Sequence, residues 1–184
     1  MFSLDRELFL LLNADADAQD WLIGTAYFLA VHAHWLLLAL VLGLALHRWR
    51  PLVRPLAGAV LAIGIGSVAC ELIGMMWDRP RPFEQGLGVP HLVHGGSPSF
   101  PSSHATAYAA LAFSFLLVAR YRQVGGALLV LAGLVSVARV VVGVHFPLDI
   151  AAGAAIGCLA AVAAHSLVEW MFGIARSVGI RKGS

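Results

Sequence analysis

The chain has 184 residues, of which 60% fall in the set AVILMFWYC and only 12% are charged, about half the charged share of an ordinary soluble domain. That composition excludes a water-soluble globule. The formal net charge of +2 averages over two ends that differ sharply in sign and gives no footing for nucleic-acid binding. Cys70 and Cys158 both sit inside apolar runs, where they pack as small hydrophobes and form no disulfide framework.

From the N-terminus, Leu4, Leu8, Phe9, Leu11 and Leu12 recur at helical spacing over Ser3 to Asn13. The stretch is too short to span a bilayer and reads as an interfacial helix. Asp5, Arg6 and Glu7 leave no basic region ahead of an apolar core, so no removable signal peptide is expected. Five apolar segments follow: Trp21 to Leu46, Leu56 to Trp77, a shorter one from His104 to Ala119, Val124 to Val144, and Pro147 to Phe172. Each of the four longer ones can cross roughly 30 Å of hydrocarbon. The expected fold is an all-helical polytopic membrane bundle, one domain over residues 1–184 with its motifs between 79 and 149. The loop from Asp78 to Ser103 carries five of the eight prolines and no helical period, which marks a functional segment.

With five crossings, Arg48, Arg50, Arg54, Arg120, Arg122, Arg176, Arg181 and Lys182 share one side, while Arg6, Arg79, Arg81 and Arg139 share the other with most of the carboxylates. The positive-inside rule sets the first side in the cytoplasm. The proline-rich loop then faces outward.

Three polar clusters fall at helix ends on that outer side: Arg79 to Phe83, Phe100 to His104, and Arg139 with His145 and Asp149. Arginines, histidines, a hydroxyl and a carboxylate at membrane depth suit a phosphate ester. Arg81 and Arg139 offer forked, permanent charges to phosphate oxygens. Ser102 occupies an N-cap position, and the free amides of Ser103 and His104 add a helix N-terminus to the anion site. Asp149 can reach back to His145 from the first turn of a helix opened by Pro147, fixing the tautomer of a nucleophile. His104, with no such carboxylate near it in sequence, fits the acid and later the base. Arg79 is a secondary phosphate-binding candidate that could equally meet headgroups or Asp78.

These residues resemble the type 2 phosphatidic acid phosphatases, whose signature is Lys-x6-Arg-Pro, Pro-Ser-Gly-His and Ser-Arg-x5-His-x3-Asp. Arg81-Pro82, Pro101-Ser102-Ser103-His104 and Arg139-x5-His145-x3-Asp149 match in order and spacing. Gly74 stands at the lysine, Ser103 at the glycine and Ala138 at the first serine of that signature. The resemblance implies that His145 becomes phosphorylated, Asp149 supports it, His104 protonates the leaving group, and Arg81, Ser102 and Arg139 hold phosphate without a metal or cofactor. The surroundings of these blocks, Arg81-Pro82-Phe83 and Gly143 to Asp149 among them, look like the bacterial undecaprenyl-pyrophosphate phosphatase branch. That likeness implies a polyprenyl diphosphate in the bilayer as substrate, hydrolysed at the outer face of a bacterial cytoplasmic membrane. Phosphatidylglycerophosphate or phosphatidic acid hydrolysis, lipid phosphotransfer, a metal-dependent hydrolase and a non-catalytic transporter or lipid-binding scaffold are the alternatives.

Outside the signature, His91 and His94 have the spacing of a metal pair without further ligands, and structural or gating roles fit them better. Glu71, inside the second span, is expected to be protonated or paired. His32 and His34 are expected to make interhelical hydrogen bonds, and Gly153-x3-Gly157 to mark close helix packing.

Overall fold

The computed structural model describes residues 2–93 and 97–181, and all regular structure among them is helical. The principal elements are α1 (Phe2–Leu12), α2 (Asp20–Met76), α3 (Ser103–Leu116), α4 (Arg122–Val141) and α5 (Pro147–Arg181). The backbone stays helical from Asp20 to Met76 although Pro51 and Pro55 lie within it. A straight helix would set Ala30 and Cys70 about 60 Å apart. Both border one cavity: the Ala30 carbonyl accepts a hydrogen bond from Arg139, which lines that cavity together with Cys70. α2 therefore doubles back, and its two arms are the apolar spans Asp20–Gly43 and Arg50–Met76.

Four segments are long and apolar enough to cross a membrane, these two and the ones at Ala119–Val141 and Pro147–Ile174. α3, with 14 residues, rises only about 21 Å. Its start and the end of α4 line the same cavity, so the two helices run antiparallel and α3 is a shortened pass of its own. It lies at the centre of the bundle against α2, α4 and α5, and buries Ala105, Tyr108, Ala109, Ala112 and Phe115. The multi-pass membrane architecture expected from the sequence is what the chain adopts. At the bundle end away from the cavity, Arg54 meets Glu169 at 3.6 Å with both side chains about two-fifths exposed, a pair that contributes little stability.

Small residues set how closely α3 is wrapped. A Cβ added at Gly157 would press into the Thr106 carbonyl and come within 2.9 Å of Ala109 Cβ, and one at Gly153 would press into the Ser102 carbonyl. The Gly153-x3-Gly157 pair thus packs α5 on α3 inside one bundle. Gly157→Leu is expected to force the helices apart and destabilise the protein by about 1–3 kcal/mol, read as a lowered thermal unfolding midpoint in detergent.

α1 lies across the bundle end that holds the cavity. Its stripe Asp5, Phe9, Asn13 is buried, while Leu4, Leu8, Leu11 and Leu12 face outward. Of the apolar residues predicted from the sequence, the four leucines point outward and Phe9 points inward, on a face that is partly polar. Asn13 donates to the carbonyls of Val89 and Val141 and accepts from the Val89 amide, pinning the long loop to the end of α4.

Candidate active site

Three chain segments deliver the polar residues, each by a local rule. α2 stops at Met76, and the run Arg79-Pro80-Arg81-Pro82 cannot continue it, because proline lacks the amide donor and biases the residue before it toward extended backbone. Ser102 caps α3: its hydroxyl accepts from the Ala105 amide at 3.4 Å, and its own amide donates to the Asp149 carbonyl. After α4, Gly143 adopts φ +85, a conformation that side chains disfavour, and turns the chain so that the Val144 amide returns to the Arg139 carbonyl. His145 is thereby brought back beside Arg139.

These segments enclose a cavity of about 910 Å³ whose walls include Arg81, Ser103, His104, Arg139 and His145. Arg139 donates from Nη1 to the Ala30 carbonyl at 3.1 Å, and its Nη2 lies 3.4 Å from His145 Nε2. The buried Nε–H of Arg139 has no partner among the described residues. A guanidinium anchored at one end on a cavity wall is a site for an oxyanion. Arg81 is fixed by the Ser97 carbonyl and hydroxyl and by the Val144 carbonyl, which orients its fork on the wall. Burial pulls the Arg81 pKa below its ordinary value, with Glu84 and Asp149 pulling the other way.

His145 is 3% exposed. Its Nδ1 lies 2.9 Å from the Ser99 carbonyl. A carbonyl can only accept, so Nδ1 carries the proton and Nε2 keeps its lone pair toward Arg139 and the cavity. Burial pushes the imidazole down to about 4 from its ordinary 6.5; Arg139 and Arg81 add to the fall and Asp149 opposes it. The unfolded chain therefore takes up this proton first. The stability contributed by a neutral His145 is complete above about pH 6.5 and is lost as pH falls toward 4. Wild-type protein is expected to lose more of its thermal midpoint between pH 6.5 and 4 than His145→Asn does, with the two profiles parallel above pH 7.

Asp149 stands at a different point from the one its spacing predicts. Its Oδ2 is 3.6 Å from His145 Nδ1, beyond hydrogen-bond reach. That oxygen accepts instead from Ser99 Oγ at 2.5 Å and the Phe146 amide at 2.8 Å, while Oδ1 accepts from Arg79 at 2.5 Å. The tautomer is set by the Ser99 carbonyl, and the carboxylate acts on the ring through Ser99 and through its field. Ser99 was not among the candidates, because a serine in an aperiodic loop shows no spacing relation to His145.

Arg79 departs from its expected position as well. It is 6% exposed, bonded to Asp5 and Asp149 and stacked on Phe146, and it does not line the cavity. Asp5 and Asp149 thus hold Arg79 away from the cavity wall on which Gly74 lies. Gly74 lies on the cavity wall, where a Cβ would touch Pro98 at 3.4 Å. Ser103 and His104 face the cavity, whereas Ser102 is wholly buried beneath it as the cap. Glu71 lines the wall three residues before Gly74. His32 packs on the rings of Tyr27 and Phe28, and His34 on Trp35, in place of the expected hydrogen bonds. His91 Nε2 meets the Ala14 carbonyl at 2.8 Å, a structural contact, and His94 lies outside the described residues.

A multi-pass helical membrane protein that gathers two histidines and two guanidiniums in one cavity at its helix ends defines a class of oxyanion-handling membrane proteins. The chain belongs to the PAP2 superfamily, which matches it over residues 55–172. It is 36% identical over 165 residues to YbjG of Escherichia coli (strain K12), a protein provisionally named an undecaprenyl-diphosphatase, covering 86% of this chain and 81% of that one. It is 35% identical over 85 residues to the undecaprenyl-diphosphatase BcrC of Bacillus subtilis (strain 168), covering 46% of this chain and 43% of that protein. The crystal structure of a transmembrane PAP2-type phosphatidylglycerolphosphate phosphatase from Bacillus subtilis superimposes with a TM-score of 0.65 at 24% identity, over 91% of this chain and 85% of that one. At that identity the superposition speaks for the fold.

Proposed function

We propose that the protein is a membrane-integral lipid phosphatase that hydrolyses undecaprenyl diphosphate to undecaprenyl phosphate at the outer face of the bacterial cytoplasmic membrane. The observation that carries this reading is the unprotonated Nε2 of His145 facing, beside Arg139, a cavity that also holds Arg81 and His104. The likeness to YbjG over most of both chains supports the polyprenyl diphosphate as substrate.

In the first step Nε2 of His145 attacks the terminal phosphorus, the bond to the bridging oxygen breaks, and His104 gives its proton to the departing undecaprenyl phosphate. Arg139, Arg81 and the amides opening α3 neutralise charge on the equatorial oxygens. In the second step water attacks the phosphohistidine as His104 takes its proton, releasing inorganic phosphate and restoring His145. Asp149 orients Ser99 and stabilises positive charge on the ring. The cavity's place at the helix ends lets the headgroup enter from the bilayer while the tail stays in hydrocarbon. The arginines at the other end of the bundle support an outward-facing site.

Purified protein in detergent or proteoliposomes, offered undecaprenyl diphosphate, phosphatidylglycerophosphate and phosphatidic acid, tests the reading through released phosphate. The expected result is a kcat/KM at least about tenfold higher for the polyprenyl diphosphate, unchanged by chelator, a margin of about 1.4 kcal/mol in transition-state binding. Equal or greater hydrolysis of a glycerophospholipid overturns the substrate, transfer to a lipid hydroxyl overturns water as acceptor, and loss of activity in chelator overturns the metal-independent step.

A further inference from the structure

The N-terminal helix reaches the reaction centre by an unbroken chain of short contacts. Asp5, on the inward face of α1, is 6% exposed and holds Arg79 Nη2 at 2.6 Å. Arg79 Nη1 holds Asp149 Oδ1 at 2.5 Å, and its guanidinium lies 4.1 Å over the Phe146 ring. Asp149 Oδ2 accepts a hydrogen bond from the Ser99 hydroxyl at 2.5 Å, and the Ser99 amide donates to the Arg79 carbonyl at 2.8 Å. The carbonyl of the same serine receives His145 Nδ1–H. Arg79 thus grips Ser99 twice, directly through its backbone and indirectly through Asp149.

We propose that Asp5 and Arg79 are positioning residues for the nucleophile, acting through Asp149 and Ser99 on His145, so that α1 is a working part of the active site. The proposal rests on the phosphatase reading above.

Two further observations place α1 in this role. The second oxygen of Asp5 accepts from the Leu148 amide at 2.8 Å, which ties α1 to the first turn of α5, one residue before Asp149. Phe9, one helical turn along from Asp5, is fully buried against Phe146 with ring centroids 5.3 Å apart. Phe146 is therefore clamped between Phe9 and Arg79, and it is the residue that joins His145 to α5. The charge balance is also specific. Arg79 lies between two carboxylates, so part of its field is taken by Asp5 and Asp149 keeps a net negative potential toward the imidazole. A residue that holds geometry without touching the phosphate should change kcat and leave KM alone, because small displacements of a nucleophile cost rate steeply.

The test is a double-mutant cycle on the full chain in detergent, with undecaprenyl diphosphate as substrate and orthovanadate as a tail-free probe of the anion site. Arg79→Met is expected to lower kcat about tenfold to hundredfold, with KM and the vanadate inhibition constant within about twofold of wild type. Asp5→Asn keeps an acceptor for the Leu148 amide and removes only the charge; it is expected to lower kcat by a smaller factor. The double variant is expected to be no slower than Arg79→Met alone, since Asp5 acts through Arg79. Arg79→Lys, which can meet one carboxylate but not both, is expected to recover part of the rate.

A vanadate constant that rises in step with KM in Arg79→Met would make Arg79 a phosphate ligand and overturn the proposal. Fully multiplicative losses in the double variant would overturn it too, because the two side chains would then act separately. If Arg79→Met does not fold, the Asp5→Asn and Arg79→Lys variants decide: unchanged kcat in both sinks the network. A wild-type protein without lipid phosphatase activity counts against the proposed function itself, before any variant is compared.

Discussion

Replacing His145 by asparagine is expected to lower turnover by at least about a thousandfold while lipid phosphate binding changes by no more than a few-fold. On the cavity wall the imidazole sets a nucleophilic lone pair beside a guanidinium, Nε2 at 3.4 Å from Arg139. Removing a covalent nucleophile forces the reaction onto direct attack by water, and what remains is electrostatic stabilisation and binding. Asparagine offers an amide to the Ser99 carbonyl in place of Nδ1–H and carries no basic nitrogen. Released phosphate measures the loss, and acid-labile phosphoenzyme trapped from labelled substrate should vanish with it. Hydrolysis by the variant within tenfold of wild type would mean that another group attacks phosphorus.

The second large effect is expected at Arg139. Arg139→Ala removes a buried cation from the cavity wall and leaves the Ala30 carbonyl without its partner at 3.1 Å. Loss of one preorganised oxyanion donor costs about 10²–10³ in rate, and the expected fall in kcat/KM is at the upper end of that range. Arg139→Lys should recover little, since one ammonium cannot hold the Ala30 carbonyl and address phosphate oxygens beside His145 together. A lysine variant with near wild-type kcat/KM would show that charge alone suffices and that the fork has no part. Size-exclusion profiles and thermal midpoints of both variants separate this loss from unfolding.

The parts of the protein that could be read from sequence are those whose cause is local or periodic. Long apolar runs give the spans, Ser102 gives a cap, and fixed spacing across one turn brings His145 beside Arg139, although the carboxylate of Asp149 goes to Ser99 and Arg79. Asp5 was counted only as a charge near the N-terminus. Its partners Arg79 and Leu148 lie 74 and 143 residues away, and no pattern within α1 announces them. Ser99 escaped for a related reason, because its part depends on a carbonyl direction that the loop backbone alone defines. The role expected of Arg79 as a secondary phosphate ligand follows from its nearness to Arg81, yet the backbone through the two prolines directs its side chain to Asp5 and Asp149 instead. The first two spans, separate in the sequence reading, are joined by a reversal that keeps helical backbone through Pro51 and Pro55.

The brevity of α3 has a consequence for the lipid the protein admits. α3 rises about 21 Å where the hydrocarbon film is roughly 30 Å thick, and because α2, α4 and α5 wrap it the shortfall is a depression inside the bundle and not a mismatch with surrounding lipid. Ser103 and His104, which open the helix, lie on the cavity wall, so the cavity occupies part of that depression. A carrier lipid with one slim tail can sink into such a depression without splaying its neighbours, whereas a diacyl lipid must lower two chains at once.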